Sequence, residues 1–349
     1  MNDILLYGAN GYTAQIIIGL ARERGVDLIL AGRNPAAISA LADASGNPHR
    51  VFALDDPTEV QAGLSGIHTV LHCAGPFSRT ALPMARACIA TGTHYLDITG
   101  EIAIFEQMAK RLGPEAEAAG VMLLPGVGFD VVPSDCLARH LSDRCPGATQ
   151  LTLAMTGEGG VSHGTATTAV ENVAEGGAVR IDGKITPVPA AWKTREFDFG
   201  HGKKRAVTIP WGDVSSAWYS TGIPNIEVYM ALPPSVQRMM GLSRHLGWAL
   251  GSRPGQWLLK SRIPSGGPSE EVRASGWSVV MGEAVAPDGT RAAARLRCPE
   301  AYQLTADAAL HIAARVREGE IKPGYQTPSS AFGPDLVLAL EGVAREDLN

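Results

Sequence analysis

"LLYGANGYTA", residues 5–14, joins an apolar run, a turn with glycines at 8 and 11, and the start of a helical pattern at Tyr12. An apolar run too short for a helix and closed by glycine reads as a strand covered on both faces. Gly8, Gly11 and Ala14 form GxxGxxA, whose small side chains let backbone amides and a helix N-terminus approach a pyrophosphate. The same spacing also describes a plain tight turn. Its position favours the nucleotide, because it follows the first strand, opens the first helix and lies in a βαβ unit of about thirty residues. Gly8, Asn10, Gly11, Tyr12, Thr13 and Ala14 are therefore the first candidate contacts.

Outward from that turn, "ILLYGA", "DLILAG", "RVFAL", "TVLHCA", "YLDI" and "VMLLPG" alternate with helical patterns up to about residue 140. The alternation predicts an α/β fold with a Rossmann doubly wound parallel sheet, whose ligands sit at the carboxyl ends of the strands. The second strand ends "LILAGRN". Arg33 stands where a ribose 2′-phosphate would be met, with Asn34 beside it, while the nearest acid, Asp27, begins the strand at the wrong edge. NADP (NADPH) is thus favoured over NAD. Asp55 ends the third strand, at the adenine edge or as the cap of a helix starting near Pro57. Cys73, Ala74, Gly75, Pro76 and Phe77 end the fourth, where backbone passes beside ribose or nicotinamide.

After "GVGFDVVPSD" the pattern changes to longer alternating strands, a PDG turn at residues 287–289 and a long helix from about Leu304 to Glu318. This predicts a second α+β domain built on a largely antiparallel sheet. A helix from about Pro334 is expected to return to the first domain. The expected division is a Rossmann NADP-binding domain of 1–130 and 322–349, and a substrate and dimerisation domain of 131–321.

With 349 residues, 45% apolar and 19% charged, the chain can bury a large core. A net charge of -5 provides no basic field for nucleic acid. Five scattered cysteines without a CxxC pair fit neither a disulfide framework nor a zinc site. A cytoplasmic protein with no leader, membrane span or metal is the expectation.

"GANGYTA", "AGRN", "CAGPFSRTALPMARACIATGTHYLDITGE" and "PGVGFDVVPSD" together resemble the saccharopine dehydrogenase-like oxidoreductases, nearest to the branch of bacterial trans-acting enoyl reductases. The likeness continues through "GTATTAVENVAEGG" and "SEEVRASG" to "GYQTPSSAFG". It implies an NAD(P)-dependent oxidoreductase with a substrate domain that often forms a homodimer, and leaves the small-molecule substrate open.

Hydride transfer also needs a group that supplies a proton or stabilises charge. Strand-end candidates are Tyr95, Asp97, Thr99 and Glu101 after the fifth strand, and Gly128, Asp130, Ser134 and Asp135 after the sixth. Tyr95, Asp97 and Asp130 are taken as catalytic candidates with His163, and Thr99 and Gly128 as cofactor contacts. Helix capping competes at Thr99 and Asp130. His68 and His72 read as structural, whereas His94 is placed nearer the cleft. No tyrosine has a lysine four residues on, which removes the chemistry of short-chain dehydrogenases.

Residues 228–269 contain no acid but carry Arg238, Arg244, Arg253, Lys260 and Arg262 among methionines, leucines and tryptophans. A dimer arm, a lid for an acyl or lipid-like substrate, and a peripheral membrane contact all fit this pattern. The leading expectation is an NADPH-dependent reductase of a conjugated C=C in an acyl-type molecule. Reduction of an amino-acid-derived imine and a non-catalytic NADPH sensor are the alternatives.

Overall fold

The computed structural model describes residues 3–160, 162–171, 176–238, 240–241, 252–261 and 266–348. The chain forms two compact units, residues 1–132 with 302–333, and 133–301 with 334–349.

In the first unit the predicted strands form as β1 (Ile4–Tyr7), β2 (Leu28–Gly32), β3 (His49–Val51), β4 (Thr69–His72), β5 (His94–Asp97) and β6 (Met122–Leu124). Helices α1 (Tyr12–Glu23), α2 (Pro35–Ser45), α3 (Pro57–Leu64) and α4 (Phe77–Thr91) connect the first five, and α5 (Ile102–Gln107) and α6 (Gly113–Ala118) lie between β5 and β6. The sheet order is β15-β6-β5-β4-β1-β2-β3, where β15 is Gly324–Tyr325, and every pairing is parallel. All four residues of β1 are buried between Leu28–Ala31 of β2 and Thr69–His72 of β4. With both faces covered, period-two alternation has no solvent side to mark, and a continuous apolar run results. The order reverses between β1 and β4, the point at whose carboxyl ends sheets of this kind bind their ligands.

The helix Ala301–Arg317 and β15 also belong to this unit. The helix is mostly buried along its length, and Asp307 on it receives an ion pair from Arg24, the residue that closes α1. This corrects the expected division. The long helix, assigned above to the substrate domain, completes the nucleotide unit.

The second unit contains α7 (Val132–Arg144), which crosses from the first at its N-terminus, β7 (Gln150–Glu158), α8 (His163–Glu171), β8 (Gly177–Ile181), β9 (Lys184–Val188), β10 (Thr194–Asp198), β11 (Lys203–Thr208), α9 (Asp213–Thr221), β12 (Asn225–Met230), β13 (Trp277–Val285), β14 (Arg291–Pro299) and β16 (Ala344–Asp347). The strands run β10-β11-β12-β7-β13-β14-β16, with β8 joined to β12 and β9. Among the described residues β12 and β7 pair parallel and the other pairs are antiparallel. The predicted PDG turn joins β13 to β14, with Gly289 at φ +89°.

The sheet curls on itself. Arg195 on β10 reaches Glu283 on β13 at 2.6 Å, and the Arg295 guanidinium of β14 fills the place where Gly200, in the β10–β11 turn, lacks a side chain. Phe197, Phe199, Tyr229, Val279, Ala154 and Ala206 pack inside the curl. Residues after Pro334 form a short 3-10 turn and then β16 on the edge of β14, not a helix returning to the Rossmann unit. The open edge of β14 takes up the backbone groups of 344–347, an outcome that helical propensity in "DLVLALEGV" does not reveal.

Candidate functional site

Gly8 leaves β1 at φ +82°, and a Cβ there would lie 2.8 Å from the Ala74 nitrogen and 2.9 Å from the Ala74 Cβ. The turn is thereby pressed against the loop after β4, and only glycine satisfies both the backbone and the space. The amides of Gly8 and Ala9 donate to the Ala31 carbonyl, and that of Gly11 to the Gly8 carbonyl. Gly11 then caps α1 without a side-chain oxygen, and the first bond inside the helix runs from the Gln15 amide to the Gly11 carbonyl at 3.0 Å. The amides ahead of it have no carbonyl within the helix, so the helix N-terminus suits a diphosphate. Tyr12 and Thr13 are half-buried, Ala14 is buried and Asn10 is exposed.

At the ends of the next two strands, Arg33 is exposed after β2 and Asp55 is exposed after β3. Both charges reach the Tyr7 phenol, whose hydroxyl donates to the Phe52 carbonyl at 3.0 Å and which burial pushes up to about 12. The Asn34 side chain caps α2 by accepting the Ala37 amide. α3 is capped by Asp56, which accepts the Thr58 amide at 2.8 Å. The capping alternative for Asp55 is thus corrected, and its exposed carboxylate stays at the strand end.

Cys73 to Phe77 leave the carboxyl end of β4 with a cis bond before Pro76 and open α4. The thiol of Cys73 is pushed up by burial and by Asp97. α4 has no cap of its own, and the Glu101 carboxylate accepts the Phe77 amide at 2.9 Å. Thr80 Oγ1 donates to the Ala74 carbonyl at 2.6 Å, which fixes the same loop from within α4.

The structure reassigns Tyr95 and Asp97. Both are 0% exposed, and the tyrosine hydroxyl donates to Asp97 Oδ2 at 2.6 Å. Asp97 Oδ1 accepts the amides of Thr99 and Gly126, each at 2.9 Å, and its carbonyl accepts the Val127 amide. Burial raises this carboxyl to about 6 against the lowering effect of those bonds. Asp97 thus ties the loop after β5 to the loop after β6, and neither side chain reaches a surface where a substrate could touch it. Thr99, also buried, turns its hydroxyl to the Glu101 amide at 3.1 Å.

Asp130 differs. It is half-buried on the loop after β6, and burial raises it to about 6. Its Oδ2 sits 2.7 Å from where Gly100 would carry a Cβ. Gly128 is held by Thr305, whose Cγ2 lies 2.8 Å from the corresponding point on that glycine. Thr305 Oγ1 also accepts the Phe129 amide at 3.0 Å, and Tyr302, one turn earlier, stacks edge-on to Tyr12 at 5.2 Å between centroids. Sequence reading missed Tyr302 and Thr305, since nothing local marks residues that meet Tyr12 and Phe129 across such separations. Glu101 stood among the strand-end candidates without a role.

His94 does not lie near this edge. It begins β5, at the opposite end of the sheet, with its ring 4.9 Å from that of His68 and its Nδ1 accepting the Met122 amide. Burial and His68 lower it to about 4. His72 is buried among Tyr7, Phe77 and Tyr95, with burial holding it neutral down to about 3, and is structural as expected. His163 is exposed at the start of α8 in the second unit, with its amide bonded to the Gly266 carbonyl.

Of the acid-free segment, residues 239, 242–251 and 262–265 lie outside the described residues, Arg244 and Arg262 among them; Arg238 and Trp257 are exposed. Among the described residues no cluster of ligands suits a metal ion, and no helix is long and apolar enough to cross a membrane.

Residues 4–124 match the family model of the saccharopine dehydrogenase NADP binding domain. A Mycobacterium tuberculosis protein carrying a trans-acting enoyl reductase name is 31% identical over 182 residues, 48% of this chain and 43% of that protein. The trans-acting enoyl reductase of Mycobacterium ulcerans is 30% identical over 149 residues, 41% of this chain and 36% of that one. The matched stretches thus span less than half the length of these relatives. Among solved structures, apo saccharopine dehydrogenase (L-Glu forming) from Saccharomyces cerevisiae aligns over 100% of both chains with a TM-score of 0.68 at 14% identity. Homospermidine synthase from Legionella pneumophila, in complex with NAD, covers 99% of this chain and 91% of its own with a TM-score of 0.67 at 10% identity. At such identities the two structures speak for the fold. The turn at Gly8, the uncapped start of α1 and the match of residues 4–124 to that family model agree on an NADP-binding domain.

Proposed function

We propose that this chain is an NADPH-dependent oxidoreductase that reduces a conjugated C=C in an acyl-type small molecule. The observation that carries the reading is Asp130, a partly accessible carboxyl raised to about 6 on the nicotinamide side of the carboxyl edge. A carboxyl in that range is protonated often enough near neutral pH to act as a general acid. Bound NADPH supplies the hydride.

The turn at Gly8–Ala14 holds the diphosphate through backbone amides, and Arg33 meets the 2′-phosphate. Cys73–Phe77, fixed by Glu101 and Thr80, form the wall beside the nicotinamide. Asp130 delivers a proton to the carbon next to the acyl carbonyl as hydride arrives at the one beyond it. The three loops nearest this position, residues 73–77, 98–101 and 125–131, contain no lysine, arginine or histidine. An amino-acid-derived imine carries carboxylates that ask for cations, so this lining favours the acyl substrate. The enoyl reductase names of the relatives point the same way.

The test uses NADPH deuterated at nicotinamide C4 with a panel of 2-enoyl thioesters, enones and cyclic imines. The reading expects cofactor deuterium at the β carbon and a solvent hydrogen at the α carbon of an enoyl product, read by mass spectrometry. Label recovered only at an imine carbon selects the alternative substrate class. Bound but unconsumed NADPH across the panel sinks the enzyme reading and leaves a sensor.

A further inference from the structure

Gly100 is not a glycine for conformational reasons, since its φ lies outside the left-handed range that other residues avoid. Space explains it. A Cβ at residue 100 would fall 2.7 Å from Asp130 Oδ2 and 3.3 Å from both Asp130 Cβ and Cγ, so the carboxyl is seated directly on the bare backbone of the β5 loop. On the other side, the backbone around Asp130 is fixed from both directions. Thr305 Oγ1 accepts the Phe129 amide at 3.0 Å, and its methyl occupies the space Gly128 leaves. The amides of Val131 and Val132 donate to the Gly128 carbonyl at 3.2 and 2.9 Å. Thr305 is itself held on a buried helix anchored to the end of α1 by the Arg24–Asp307 pair and to its start by Tyr302 against Tyr12.

We propose that Gly100 and Thr305 are positioning residues that seat the Asp130 carboxyl, so that the helix Ala301–Arg317 sets the direction of proton delivery. The inference deepens the reading of Asp130 as proton donor and rests on it for its catalytic meaning, but the seating itself is a matter of geometry. The surrounding elements carry as ionisable side chains Tyr95, Asp97 and Glu101 from the β5 segment, Tyr12 at the start of α1, and Tyr302, Asp307, His311, Arg315 and Arg317 on the helix. Displacing the carboxyl by an ångström moves it towards water and away from the reacting carbon. Misplacements of that size cost up to about a hundredfold in turnover.

The experiment compares Gly100→Ala, Thr305→Val and Thr305→Ser in the full chain, with two readouts. The first is the titration of the Asp130 carboxyl by carbon-detected NMR, which needs no substrate. The second is the pH profile of kcat with the best enoyl substrate, alongside KM for NADPH. Gly100→Ala and Thr305→Val are expected to move the titration midpoint down towards the ordinary carboxylate value. They should also lower kcat about tenfold or more at unchanged KM for NADPH. Thr305→Ser, which keeps the hydroxyl acceptor, should hold the parent midpoint. Midpoint and kcat unchanged in both Gly100→Ala and Thr305→Val overturn the proposal, as does a Thr305→Ser midpoint that moves as far as that of Thr305→Val. If the midpoints move while Asp130→Asn turns over normally, the seating stands and the proton-donor reading falls.

Discussion

Asp97 and Asp130 are raised to the same value by the same cause, yet their substitution is expected to have opposite consequences. Asp97 collects the Tyr95 hydroxyl and the amides of Thr99 and Gly126, so Asp97→Ala strands three buried donors. At about 1–3 kcal/mol for each polar group left unsatisfied, and with some collapse of the site, a loss of roughly 2–5 kcal/mol in urea denaturation is expected. Asp130→Asn should show no such loss of stability and lower kcat by about two to four orders of magnitude, the usual contribution of a general acid. Arg33→Asp tests the other end of the cofactor. Loss of a charge-assisted phosphate contact of about 1.5–3 kcal/mol should weaken NADPH by on the order of 10- to 100-fold in a fluorescence titration while NADH changes little. Equal weakening of both nucleotides would remove Arg33 from the site. At this scale the sequence was legible where chemistry is local: Gly8 and Gly11 follow β1 and Arg33 follows β2, at the strand ends the pattern predicted. It was misleading at Tyr95 and Asp97. Two residues apart in a strand they share a face, so the hydrogen bond between them was a signal available beforehand, but their burial was not.

Strand ends have two edges, and the histidines of β4 and β5 show why the edge matters. His94 begins β5 and is held neutral by burial and by His68, with a folded pKa of about 4 against 6.5 in an unfolded chain. A depressed histidine gives stability that is complete above the unfolded value and lost as pH falls towards the folded one. Gln in place of His94 can still accept the Met122 amide and cannot titrate. His94→Gln is therefore expected to gain about 2 kcal/mol relative to the parent between about pH 7 and about pH 5. Urea midpoints measured across that range check it, and a pH-independent difference would count against the buried neutral ring. Asp97 and Asp130 act in the opposite sense, since a raised carboxyl favours the folded state when protonated and costs stability as pH rises towards 6. The six parallel strands were legible because burial on both faces leaves a continuous apolar run. The helix near residues 304–318 was equally legible from its period. Its partners were not, because an apolar stripe says that a face is covered and does not say by what.

Across the whole molecule the C-terminal segment divides between the units at Gly333. Truncation after that residue removes β16 and with it Glu346, which accepts from the nearly buried Arg295 guanidinium at 2.6 Å. The nucleotide unit keeps its helix, β15 and the Gly8 turn. The truncated chain is expected to bind NADPH with unchanged affinity while calorimetry shows a lower melting transition for the second unit. Loss of nucleotide binding would return residues 334–349 to the Rossmann unit, where sequence reading had placed them. That reading took helical propensity for destiny and overlooked that β14 offered an unpaired edge.

The late position of the helix Ala301–Arg317 has a consequence for biosynthesis. A ribosome releases the first 132 residues long before the helix that covers them and the strand that closes the β6 edge. Between them lie residues 133–301, which at ordinary elongation rates take on the order of ten to thirty seconds to emerge. During that interval the nascent nucleotide-binding layer has an open flank and no Thr305 beside Phe129, so the loop that carries Asp130 acquires its support among the last events of translation.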